Sequence, residues 1–192
     1  MNANKITLHN VRARYPRLFR AEVNKLNPNG KAAYSMRIVL EEGHPELDAL
    51  KKFCVEKAVE KFGESRAPKI VKAAKESKNT RGLHYDEDTK FTEFNAKRNE
   101  DRGAPLVVGR QKQDLTEAEG PQGGDWINVT VAPYWYDNQS RGLSFELLAV
   151  QFVKKGEPFP GEGVSASKDD FETLADDGEG HKLTEEELEA MI

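Results

Sequence analysis

Apolar residues recur at two spacings along this chain. In residues 126–136, Ile127, Val129 and Val131 alternate with Trp126, Asn128 and Thr130. That period of two predicts a strand with one aliphatic face and one polar-aromatic face, the latter also carrying Tyr134. Asp137, Asn138 and Gly142 read as a turn, and residues 143–153 as the returning strand of a hairpin. Residues 33–40 alternate in the same way: Tyr34, Met36, Ile38 and Leu40 point to one side, and Ser35, Arg37 and Val39 to the other. Looser strand patterns run over 5–11, 90–98 and 105–108, and Pro16 is expected to end regular pairing after the first of them. The second spacing is helical. After Gly43-His44-Pro45, residues Leu47, Leu50, Cys54, Ala58 and Phe62 recur every three or four positions. They predict an amphipathic helix over 46–62, begun by Pro45 and stopped by Gly63. Residues 65–78 pattern as a second, exposed helix. Short strands with turn signals and one firm helix suit a small barrel or a partly open sheet.

Composition changes this picture at the C-terminal end. The 192 residues are 37% apolar and 32% charged, which is low in core material and implies long solvated segments. The net charge of −4 is unevenly spread. Residues 156–192 hold two lysines against twelve acids, a net of −10, whereas residues 1–155 hold 27 basic against 21 acidic side chains, a net of +6. A basic body suited to a polyanion is therefore joined to an acidic tail able to compete for the same surface. The composition of residues 161–192 predicts disorder. The lone cysteine, Cys54, excludes an internal disulfide framework and a cysteine-based zinc site, and it lies on the helical stripe as a buried thiol. Residues 1–5 lack an apolar signal core, and no apolar run is long enough to cross a bilayer, so a soluble intracellular protein is expected.

Enzyme chemistry finds little support. There is no phosphate-binding glycine loop, HExxH or GxSxG, and His9, His44, His84 and His181 have no partner spacing. His84, Asp86, Glu87 and Asp88 cluster, but adjacent carboxylates do not converge on one ion, and a polar turn is the simpler expectation. Neither metal nor cofactor is expected. Cations interleaved with rings carry the positive case. In residues 12–20, four arginines surround Tyr15 and Phe19, a pattern that fits a single-strand or phosphate-rich surface and equally an exposed charged strand. The 126–136 strand is likewise open between a Trp-rich core strand and a stacking platform.

Three blocks carry a family resemblance. The first is Asn10-Val11-Arg12-Ala13-Arg14-Tyr15-Pro16-Arg17-Leu18-Phe19 with the strand 34–40. The second is Asn95-Ala96-Lys97-Arg98, then Pro105-Leu106-Val107-Val108 and Asp114-Leu115-Thr116. The third is Gly124-Asp125-Trp126-Ile127-Asn128-Val129-Thr130-Val131, Tyr136-Asp137-Asn138 and Val150-Gln151-Phe152-Val153-Lys154-Lys155-Gly156-Glu157. Together they resemble a family of bacteriophage single-stranded DNA-binding proteins with a divergent OB-fold. The resemblance implies a mainly β, α+β architecture: an OB-fold-like five-stranded antiparallel barrel with an inserted helix over residues 1–160, followed by the acidic tail over 161–192. It implies non-catalytic, largely sequence-independent binding of single-stranded DNA in phage replication or recombination, in the cytoplasm of an infected host. Arg12, Arg14, Arg17, Arg37, Lys97, Arg98 and Arg141 are then the expected phosphate contacts, and Tyr15, Phe94, Trp126 and Tyr134 the expected stacking rings. The tail, with Leu188, Met191 and Ile192 at its end, is expected to dock on phage or host replication proteins; oligomeric state is left open. Two other readings stand beside this one: a phage structural or assembly protein with a β-sandwich body, and a small metal-dependent nuclease using Asp86 and Asp88.

Overall fold

The computed structural model describes residues 4–25, 27–76, 82–137 and 141–160, all within the unit Met1–Pro160. Leu188, Met191, Ile192 and the rest of the tail lie outside the described residues, as does the side chain of Arg141. Seven strands are formed: β1 (Ile6–Glu22), β2 (Ala33–Leu40), β3 (His84–Tyr85), β4 (Thr92–Asn99), β5 (Leu106–Val108), β6 (Trp126–Asp137) and β7 (Arg141–Lys154). Two helices, α1 (Leu47–Phe62) and α2 (Ala67–Glu76), lie between β2 and β3.

The sheet runs β3-β4-β2-β1-β6-β7-β5, and β4 also pairs with β7, closing a five-stranded barrel of β4, β2, β1, β6 and β7. Four seams are antiparallel and the closing one, Ala96↔Phe145, is parallel. Five strands in a ring cannot alternate direction at every seam, so an odd barrel needs a parallel closure. This closed ring replaces the β-sandwich alternative. Its interior is filled from every wall: Leu8, Val11, Met36, Ile38, Phe94, Ile127, Val129, Val131, Phe145 and Leu147 are all exposed by 1% or less. The rings of Phe94 and Phe145 meet across the closing seam at 4.2 Å.

β1 curves because its pairing register breaks three times, the last between Arg17 and Glu22 against β2. Asn10 and Tyr15 have left-handed backbones, with φ of 51° and 50°. The pairing register slips between Leu8 and Val11 against β6, and between Arg14 and Arg17 against β2. Each slip flips the side-chain parity, so the buried positions of β1 are Leu8, Val11, Ala13 and Leu18 rather than one regular series. Pro16 therefore does not end the strand. It sits inside the second slip, where no ladder N–H is needed, and pairing resumes at Arg17↔Ser35.

The helices cover one end of the barrel with a smaller apolar layer. Leu50, Cys54 and Ala58 of α1 and Ala67 and Ile70 of α2 are buried in one core with Trp135 and Leu143 of the β6–β7 hairpin. Trp135 is held there by its indole N–H, which donates to the Cys54 carbonyl at 2.8 Å. The turn into α1 is tied by His44, whose Nδ1 accepts from the Glu46 amide at 3.2 Å and whose Nε2 reaches the His9 carbonyl at 3.0 Å. Among the described residues, no helix is long and apolar enough to cross a membrane.

Candidate nucleic-acid interface

The outer faces of β6, β1, β2 and β4 carry side chains that are far apart in sequence but lie on common rungs. One rung joins Trp126 to Arg12, Val39 and Glu93. The next joins Arg14, Arg37 and Asn95, and a third joins Arg17, Ser35 and Lys97. Residues directly opposite each other on paired strands share a side, so the register alone gathers four of the predicted arginines, Lys97 and Trp126 on one surface. Tyr15 rises from the β1 bulge beside them and is 53% exposed. Its left-handed backbone is costly for a bulky residue, and it persists because Arg14 and Arg17 are both pinned to β2.

Cations and rings alternate across this surface. Trp126 lies between Arg12, whose guanidinium carbon is 5.5 Å from the ring centre, and Lys154, whose ammonium is 5.2 Å away. Tyr15 lies between Arg14 at 5.3 Å and Arg37 at 5.7 Å. One carboxylate is set among them: Glu93, nearly buried, accepts from Arg14 Nη1 at 2.8 Å and from Arg37 Nη1 at 3.3 Å. One carboxylate thus bridges two guanidinium groups with charge-assisted hydrogen bonds and fixes both heads beside Tyr15. Arg12 also donates to the backbone carbonyls of Gly124 (3.1 Å) and Glu157, and Arg17 pairs with Glu22 at 2.8 Å near the rim.

Several expected site residues lie elsewhere. Phe94 shares its side of β4 with Ala96, faces the barrel interior and is 1% exposed, so it is core and not a stacking ring. Arg98 braces the turn after β4: its Nε and Nη2 donate to the carbonyls of Gly103 and Arg102 at 2.9 and 2.7 Å, and its Nη1 to Glu146 at 2.6 Å. Tyr134 is 43% exposed but pairs with Ser144, beyond the last β1–β6 pair at Val131. Eight residues of strand place it roughly 26 Å along β6 from Trp126, off the shared face. The Asp86 cluster is a turn: the carboxylate accepts from the amides of Thr89 (3.1 Å) and Asp88 (2.9 Å), which hold its pKa below the ordinary value. Among the described residues, no group of His, Cys, Asp and Glu is arranged to hold a metal ion.

Sequence reading missed Lys154 and Glu93. Lys154 was within reach of it, since a hairpin places the end of β7 opposite the start of β6. The bulges that shift that register, between Trp126 and Ile127 and between Thr130 and Val131, leave the partner uncertain until the fold is seen.

A closed OB-type barrel with a basic, aromatic outer face defines a class of oligonucleotide-binding modules. The chain belongs to the family described as Enterobacter phage Enc34, ssDNA-binding protein, which matches residues 4–181. That family is one of binding proteins, not of enzymes. Protein p50 of Acyrthosiphon pisum secondary endosymbiont phage 1 is 30% identical over 176 residues, covering 89% of this chain and 94% of that protein. The fold is similar to the single-stranded DNA-binding protein from bacteriophage Enc34 in complex with ssDNA, with a TM-score of 0.65 and 17% identity over 82% of this chain and 90% of that one. It is also similar to gp2.5, a single-stranded DNA-binding protein encoded by bacteriophage T7, with a TM-score of 0.53 and 15% identity over 85% and 98% of the two chains.

Proposed function

We propose that this protein binds single-stranded DNA without catalysis and with little sequence preference, in phage DNA replication or recombination in the host cytoplasm. The observation that supports it is the joint placement of Arg12, Arg14, Arg37, Tyr15 and Trp126 on one outer face of the barrel, in a chain of this family. Phosphate oxygens are bound by Arg12, Arg14, Arg17, Arg37 and Lys97, with Lys154 added to the expected set. Bases stack on Trp126 and Tyr15, which every base permits through its π-face. Affinity falls with salt because bound phosphates shed their counterions. The acidic tail, ending in Leu188, Met191 and Ile192, serves docking on replication proteins and competes with DNA for the basic face.

The test is a titration of labelled oligo-dT and of duplex at two salt concentrations, with and without magnesium. Salt-sensitive binding that favours the single strand is expected, with no cleavage. Each stacked base contributes about 1–3 kcal/mol, so Trp126→Ala and Tyr15→Ala should each weaken binding by roughly tenfold. Tyr134→Ala should change it by less than about twofold. Binding that survives both of the first two substitutions in folded protein would overturn the site, and cleavage with magnesium would overturn the function.

A further inference from the structure

Phe159 is 3% exposed, yet it belongs to no strand or helix and its neighbours Glu157, Pro158 and Pro160 are exposed. Only its ring is inserted. The ring does not enter the barrel core. It lies between the guanidinium carbons of Arg12, 4.3 Å from its centre, and Arg14, 4.9 Å away, with Phe91 edge-on at 6.3 Å and 71°. Taken with the contacts above, the face is a ladder in which rings and cations alternate: Trp126, Arg12, Phe159, Arg14, Tyr15, Arg37. Trp126 and Tyr15 are fixed on paired strands. The middle ring alone is delivered by a coil segment.

We propose that the slot between Arg12, Arg14 and Phe91 is a nucleobase subsite, filled in this structure by Phe159, and that residues 157–160 form a strap displaced when single-stranded DNA binds. The proposal rests on the DNA-binding reading above and adds a site to it. A flat ring held face-on by guanidinium groups is the environment in which a base is held by a single-strand binder. The strap's attachment is also replaceable by nucleic acid: the Glu157 carbonyl accepts from Arg12 Nη2, and a phosphate oxygen is a stronger, charged acceptor for the same donor. The backbone permits this close approach through Gly124, at φ 93°, and Gly156, where a Cβ would meet the Gly124 carbonyl oxygen. These two glycines form the crossing from which the strap starts, so it can lift beyond residue 156 without opening β7, which ends at Lys154.

The experiment uses the full chain with 4-fluorophenylalanine placed at position 159, titrated with oligo-dT and followed by fluorine NMR alongside fluorescence anisotropy. On binding, the resonance should move to the position it has in the urea-unfolded chain. Phe159→Ala, with the acidic tail intact, should bind oligo-dT roughly tenfold more tightly, because a stacked competitor has been removed. If oligo-dT binds while the fluorine resonance stays at its free-protein position, the strap remains seated and the subsite is refuted, with the DNA-binding reading intact. Unchanged or weaker binding by a folded Phe159→Ala protein refutes it equally. Should that variant not fold, the fluorine measurement on the otherwise unaltered ring decides alone. No binding by the unsubstituted chain overturns the parent reading, and the subsite with it.

Discussion

Glu93→Gln should make the protein less stable and its DNA binding more sensitive to salt, two effects of opposite usefulness from one atom. The Glu93 side chain is 9% exposed, and its two oxygens lie 2.8 Å from Arg14 Nη1 and 3.3 Å from Arg37 Nη1. Removing one partner of a buried ion pair costs about 3–5 kcal/mol. Glutamine keeps one acceptor oxygen, and Arg37 is 35% exposed, so water screens part of the loss. About 2 kcal/mol remains, which for a body of this size lowers the melting temperature by about 4–8 °C. On the binding side, the substitution removes a negative charge from beside the guanidinium groups of Arg14 and Arg37, the proposed phosphate contacts. One further phosphate neutralised steepens the slope of log affinity against log salt by about 0.7 for a single strand. At a separation near 4 Å, one unit charge is worth about 1 kcal/mol even in water, so low-salt affinity should rise by roughly fivefold. Thermal melting and anisotropy titrations at four salt concentrations measure both effects. A folded Glu93→Gln protein with an unchanged or shallower slope would show that Arg14 and Arg37 lie off the path of the phosphates.

Phe94→Ala should cost about 3–5 kcal/mol in urea unfolding, the price of a large core truncation, while the folded fraction keeps its affinity; lost affinity at full stability would return Phe94 to the binding face. Burial pushes the Cys54 thiol up to about 12, so at pH 8 it is protonated and should escape iodoacetamide until the chain is denatured. Mass spectrometry of native protein after alkylation checks this, and a labelled native chain would contradict it. Deleting residues 174–192 should leave DNA affinity equal or higher, because much of a competing acidic segment is removed; a clear loss in anisotropy titration would count against competition by the tail.

Period-two alternation determined β2 and the β6–β7 hairpin, because a strand with one buried face must place an aliphatic side chain at every second position. Ile127, Val129 and Val131 are accordingly buried together. The three- and four-residue spacing of Leu50, Cys54 and Ala58 determined α1 for the same reason in helical form. Phe94 was legible too: it alternates with Glu93 and Asn95 beside Ala96, and a ring's chemistry outweighed its parity in the reading. What the pattern did not carry was the course of β1. Its bulges at Asn10 and Tyr15 combine left-handed backbones with a register slip against one partner strand each, β6 at Asn10 and β2 at Tyr15, and those registers are fixed only in the folded sheet. Nor did it carry the ladder on the outer face, since Arg12 and Phe159 are brought together by the register that joins Arg12, Trp126 and Lys154 and by the crossing of Gly124 and Gly156. Local spacing reports which side of its own strand a residue occupies. Which cation meets which ring is set by register between strands, a property of the closed sheet and not of any one segment.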